Sequence, residues 1–161
     1  MKKPIILISI LVSLVFVIQS CKKSTRRTDK DLYKELSEPG YTFYKGGAIL
    51  PAKGSSPHGP FKVRFNSTAY AALDTALKLP VGNSFPNGSI IVKELYDGTT
   101  LTLYVVMKKQ DDNKNAAEGW LWSEYELDGS VLYSVGSKGN SCTDCHKAAN
   151  NRDLTLLFDL H

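Results

Sequence analysis

The chain has 161 residues, of which 42% are hydrophobic, 10% aromatic and 22% charged; this is a globular composition with room for one real core and not for two. Its formal charge is +4, but if residues 1–20 are removed Lys2 and Lys3 go with them, leaving 18 basic side chains against 16 acidic ones. A chain so nearly balanced, with no dense basic stripe in its folded part, makes a poor nucleic-acid binder, so no nucleic acid is expected among its partners.

At the N-terminus, Lys2 and Lys3 precede an apolar run from Ile5 to Ile18 broken only by Ser9 and Ser13. A basic start followed by such a run is a signal-peptide pattern, rather short for a membrane-spanning helix. Ile18-Gln19-Ser20-Cys21 then resembles a bacterial lipobox, in which the cysteine becomes an acylated N-terminus. Gln19 departs from the small residue usual at that place, and an uncleaved N-terminal anchor is the alternative. Either route leads to the bacterial cell envelope, with the protein held to a membrane outside the cytoplasm, and several acyl chains on Cys21 would make a firm lipid anchor. The expected organisation is a lipoprotein signal peptide over residues 1–20, a polar tether with a short helix over 21–40, and a folded domain over 41–161. Lys22 to Lys30 has no apolar residue to bury and reads as a tether; its basic residues either touch anionic headgroups or are simply solvated.

Asp31 to Glu38 places Leu32 and Leu36, with Tyr33, on one helical face that Pro39-Gly40 ends. Residues 41–60 are rich in Gly and Pro and read as surface loop. Phe61 to Asn66 alternates as a half-buried strand, and Ser67 or Thr68 caps an expected helix to Leu79. Strands follow from Ser89 to Tyr96 and Leu101 to Lys109 across the Asp97-Gly98 hairpin signal. Two more run from Trp120 to Leu127 and Val131 to Val135 across Asp128-Gly129. The fold class is α+β: predominantly an antiparallel β-sheet meander of about five strands with two or three short helices.

The most specific chemistry stands near the end, in Cys142-Thr143-Asp144-Cys145-His146. Two thiols three positions apart with an imidazole directly after them form the c-type haem attachment pattern. Each thiol can add to one vinyl group on a haem edge, and His146 is then held against the iron as its metal ligand. The plainer readings are a Cys142–Cys145 disulfide or half of a zinc site, but zinc wants a second ligand pair and the chain has none at such spacing. Ser141 is placed to cap a short C-terminal helix carrying the motif, and Leu154, Leu156, Leu157 and Phe158 can cover one side of the porphyrin.

An open iron face binds gases or substrates, whereas a closed one moves electrons to and from a redox partner. Candidates for the sixth ligand are few once the leader is gone. Met107 shares a strand face with Leu101, Leu103 and Val105 and reads as core; His58 lies in a Gly/Pro loop and reads as surface; His161 ends the chain and reads as frayed. The balance favours a five-coordinate haem open to a small gaseous or nitrogen-oxide ligand, with electron transfer through a site closed by Met107 or Lys93 as an alternative.

His58-Gly59, Val63-Arg64-Phe65-Asn66, the FPxGxxxVKE run from Phe85 to Glu94, Trp120 and the late CxxCH together resemble the cytochrome P-460 family, which includes the cytochromes c′-beta. The resemblance spans residues 41–161. It implies a mainly antiparallel β fold, usually a homodimer, with one haem c attached through Cys142 and Cys145 and His146 proximal to the iron. Within that family the enzymes oxidise hydroxylamine and carry a lysine, matching Lys93, cross-linked to the haem. The c′-beta members bind nitric oxide or carbon monoxide in an apolar pocket capped by phenylalanine, a role that Phe61 and Phe85 are candidates to fill. The enzymes' distal carboxylate aligns with Tyr104 and their distal arginine with Phe61, so the chain lacks the expected proton acceptor at that position. Tyr104 retains a hydrogen-bond donor. On sequence alone Lys93 is equally a surface lysine on an exposed strand face.

Overall fold

The computed structural model describes residues 25, 28–53 and 56–161. The leader and the lipidation candidate Cys21 lie outside the described residues. The first helix, α1, covers residues 28–35. Six strands follow as β1 (Thr42–Phe43), β2 (Phe61–Phe65), β3 (Ile90–Asp97), β4 (Thr100–Lys109), β5 (Trp120–Tyr125) and β6 (Val131–Tyr133). They form one sheet in sequence order, and every pairing is antiparallel. The expected α+β meander is therefore what forms, with β1 as an additional edge strand that the loop-rich sequence did not announce. Three short helices complete the chain: α2 (Ser67–Ala71), α3 (Cys142–His146) and α4 (Leu157–Leu160).

Local chemistry accounts for two departures from expectation. Helix α2 stops at Ala71 and not near Leu79. The Asp74 carboxylate accepts the backbone N–H groups of Ala76 and Lys78 at 2.9 and 3.0 Å, a side-chain turn that competes with the helix ladder. The cap is Asn66 and not Ser67 or Thr68: its Oδ1 accepts from Ala69 N at 2.9 Å and also from Ile90 N at 3.0 Å, tying the helix start to β3.

Because strand side chains alternate, the sheet has two faces. On one, Ile90, Val92, Val106, Leu121 and Tyr125 pack against Leu32 of α1 and Leu36 just beyond it. Asp29 clamps that helix to the sheet: its backbone carbonyl accepts from Tyr125 at 2.9 Å, and its carboxylate from Ser134 Oγ at 2.7 Å and Val135 N at 2.9 Å. The same face carries the buried Arg64–Glu94 ion pair at 2.7 Å, with Tyr96 donating to the second carboxylate oxygen and Arg64 donating to Leu36 O. The opposite face holds Val63, Phe65, Ile91, Met107, Trp120 and Trp122, covered by the C-terminal segment through Phe158, which stacks on Phe65 at 6.1 Å. On this second face the C-terminal cover and the sheet enclose a space between them.

Candidate functional site

That space is a cavity of about 480 Å³ between the sheet and the C-terminal segment, within the range of small-molecule and cofactor sites. Strand register builds its inner wall. Val63 pairs with Lys93, Lys93 with Val105, Val105 with Glu124 and Glu124 with Tyr133, and all five line the cavity. Phe61, Ile91 and Met107 widen the apolar part of this wall, and the outer wall comes from α3 and from residues 155–161.

Helix α3 brings both thiols and the imidazole of the CxxCH motif to the cavity. Gly139 carries the approach: its carbonyl accepts from Cys142 N and Thr143 N, both at 3.0 Å. A Cβ on Gly139 would lie 2.6 Å from the Trp122 ring, and its φ is +60°, so only glycine fits there. Ser141 precedes the helix, but its φ of 70° turns the side chain away from capping geometry. Both cysteines are free; burial pushes the Cys142 thiol up, against the Tyr133 hydrogen bond that lowers it.

The histidine is held on two sides. Its Nδ1 bonds Leu154 O at 2.7 Å, and its ring stands edge-on to Trp122 at 4.8 Å. Burial pushes its pKa down, the Leu154 carbonyl pulls it back up, and the charge of Lys93 lowers it again. A neutral ring that donates from Nδ1 leaves Nε2 as the ligating nitrogen, the arrangement that metal-binding histidines adopt. Leu154 O is itself fixed by the turn before it, in which Asn151, Asp153 and Leu154 all have positive φ. The Asp153 carboxylate anchors this turn, accepting from Lys109 Nζ at 2.9 Å, Trp120 Nε1 at 3.2 Å and Phe85 N at 2.8 Å.

Of the residues singled out from sequence, the cavity gathers Cys142, Cys145, His146, Lys93 and Phe61. Lys93 Nζ sits 4.0 Å from the Phe61 ring centre, and burial pushes its amine down to about 8. Phe85 is elsewhere, buried edge-on against Trp120 at 5.7 Å. Tyr104 is on the other face of the sheet, since alternation turns it away from Val105, and it packs toward Arg64 at 5.9 Å. Met107 is both core, as its strand face implied, and part of the cavity wall.

Four cavity residues were missed by sequence reasoning. Glu124 is the important one: the alternation Trp120, Trp122, Glu124 puts it on the cavity face, and burial raises its pKa. That count was available from sequence once the face of the tryptophans was known. Tyr133 required the register of β6. His58 lies in the wall and not at the surface. His161 is docked and not frayed, edge-on to Phe61 at 5.3 Å, with its carbonyl accepting from Lys45.

Among the described residues no three His, Cys, Asp or Glu side chains converge as a metal-ion site, so a zinc reading has no support there. A half-exposed thiol pair beside a histidine with one committed nitrogen, facing a mostly apolar slot, fits a haem. No curated protein matches the chain. A family model described as Cytochrome P460 matches residues 61–157, which covers β2 through α3 and the Asp153–Leu154 turn. Both the fold and the C-terminal motif fall inside that match, and the chain belongs to the cytochrome P460 family, whose cofactor is haem.

Proposed function

We propose that the chain is an exported, lipid-anchored c-type haem protein that binds small nitrogen-oxide or gaseous ligands, nitric oxide first among them. Cys142 and Cys145 would hold the porphyrin through thioether bonds and His146 Nε2 would ligate the iron, which would supply a binding site for a diatomic ligand. The observation that carries this reading is the His146 arrangement: Nδ1 committed to Leu154 O, beside the CxxC thiols, opening on a wall built from Phe61, Val63, Ile91, Val105 and Met107. A largely apolar wall, with Lys93 and Glu124 set into it, suits a small neutral ligand.

The hydroxylamine-oxidising alternative has its own support. Lys93 and Glu124 share the cavity and lie on one cross-strand row. An amine pushed down to about 8 is partly unprotonated near neutral pH, the state in which lysine forms covalent bonds. Burial raises the pKa of the Glu124 carboxylate, which makes it a better proton acceptor. The acid missing at Tyr104 is thus available from the neighbouring strand. Absorption spectra of the purified protein decide between the readings. Gas binding requires a high-spin ferrous spectrum that shifts with nitric oxide and a Soret band that returns to an ordinary c-type position on denaturation. A red-shifted band surviving denaturation, lost in Lys93→Met, selects the enzyme. A low-spin spectrum indifferent to nitric oxide overturns both.

A further inference from the structure

The cavity is electrically lopsided along the cross-strand row. Its acids, Glu124 and Asp144, stand on β5 and α3, beside the thiols. Away from the motif, the lysines Lys53 and Lys93 and the imidazole donor His161 stand at the opposite end, where His161 abuts Phe61 of β2 and Lys93 pairs with Val63 of β2. No cavity carboxylate faces that end among the described residues. Lys53 also donates to Leu160 O, which brings its ammonium to the end of α4 next to His161, and the charges of Lys53, Lys45 and Lys93 add to burial in lowering the His161 pKa.

Haem has the same polarity. Its vinyl groups lie on one edge and its two propionates on the other. The thiols fix the vinyl edge near β6, because Cys142 and Tyr133 line the same end of the cavity and the Tyr133 hydroxyl donates to Asn140 O just before the motif at 2.7 Å, and Tyr133 is separated from Val63 by four strand spacings of about 4.8 Å each. A ring anchored there extends along the row toward β3 and β2. Resting on the c-type haem reading above, we propose that Lys53 and His161, with Lys93 beside them, form the subsite that receives the haem propionates. Each carboxylate gains a charge-assisted hydrogen bond in a half-buried setting, and the acids at the other end disfavour the reversed orientation.

The test uses the holoprotein and reads the propionate bending band by resonance Raman together with the midpoint potential. Lys53→Gln is expected to shift the band and lower the potential, since removing a positive charge near the haem favours ferric iron, and Lys53→Gln with His161→Gln is expected to do more. Lys34→Gln removes an exposed lysine of α1, on the sheet face opposite the cavity, and is expected to leave both readings as in the wild type. Covalent haem with a band and potential unmoved in the double variant overturns the inference alone, and so does an equal shift in Lys34→Gln. A wild-type chain without covalent haem overturns the underlying reading and this one with it.

Discussion

Burial first, then the charges of Lys93 and His146, push the His58 imidazole down to about 4, so near neutral pH it stands in the cavity uncharged. A base with a depressed folded pKa binds fewer protons folded than unfolded between that value and its ordinary 6.5. Stability therefore falls as pH drops through this window. After allowance for the partial exposure of the ring, the loss attributable to His58 is about 1–2 kcal/mol. Urea midpoints measured from pH 7 to pH 4 should show it, and His58→Gln should flatten the curve by that amount; an unchanged slope in the variant means the ring is solvated. His58 was misread from sequence for a physical reason. Its neighbours Ser56, Pro57, Gly59 and Pro60 specify a loop correctly, but loop chemistry says nothing about which surface the loop lies against. Lys93 was legible only as far as its strand. Which face it took depended on partners in β2 and β4 that no local pattern names.

The turn at Asn151–Leu154 does for the histidine what no helix in the chain is long enough to do. Three consecutive constraints meet there: positive φ at Asp153 and Leu154, a carboxylate taking three hydrogen bonds, and a carbonyl holding His146. Lys109 and Asp153 are a buried pair, their side chains 7% and 8% exposed. Removing Asp153 leaves buried Lys109 only the more exposed Asp111 at 3.4 Å and strips Trp120 Nε1 and Phe85 N of their acceptor, so Asp153→Ala should cost about 3 kcal/mol in denaturant unfolding. The structure adds a second expectation: the iron–histidine stretching band of the holoprotein should weaken as the Leu154 carbonyl loses its fixed position. A band identical to the wild type would show that the carbonyl is held by other means. This element has no local signal in the sequence: Asn150-Asn151-Arg152-Asp153 is a polar run that names none of its distant partners Phe85, Lys109 and Trp120. The strands and hairpins were far more legible, because a two-residue alternation bounded by Asp-Gly pairs is a local signal. The long helix expected to Leu79 failed at Asp74, whose side chain satisfied the backbone locally before the helical face could be used.

At the scale of the molecule the sheet separates two kinds of chemistry. One face binds α1 and buries the Arg64–Glu94 pair; the other is given to the cavity. Helix α1, clamped through Asp29, lies on the face opposite the cavity, and the proposed lipid on Cys21 precedes it in sequence. Cys21→Ser should accordingly move the protein from the detergent-extractable membrane fraction to the soluble fraction while its haem spectrum stays unchanged. Persistence in the membrane fraction would point to the uncleaved leader as the anchor. Among the described residues no helix is long and apolar enough to cross a membrane. The cavity's walls also differ in age along a growing chain. All six strands precede residue 142, whereas both thiols, His146 and the carbonyl that steadies it follow. If the thiols capture haem as proposed, a ribosome that stops before them leaves a nascent sheet that cannot hold the cofactor. A chain ending just past His146 keeps the imidazole but loses the Leu154 carbonyl that chooses its tautomer. Capture of haem by the proposed route would thus report that synthesis has passed Leu154.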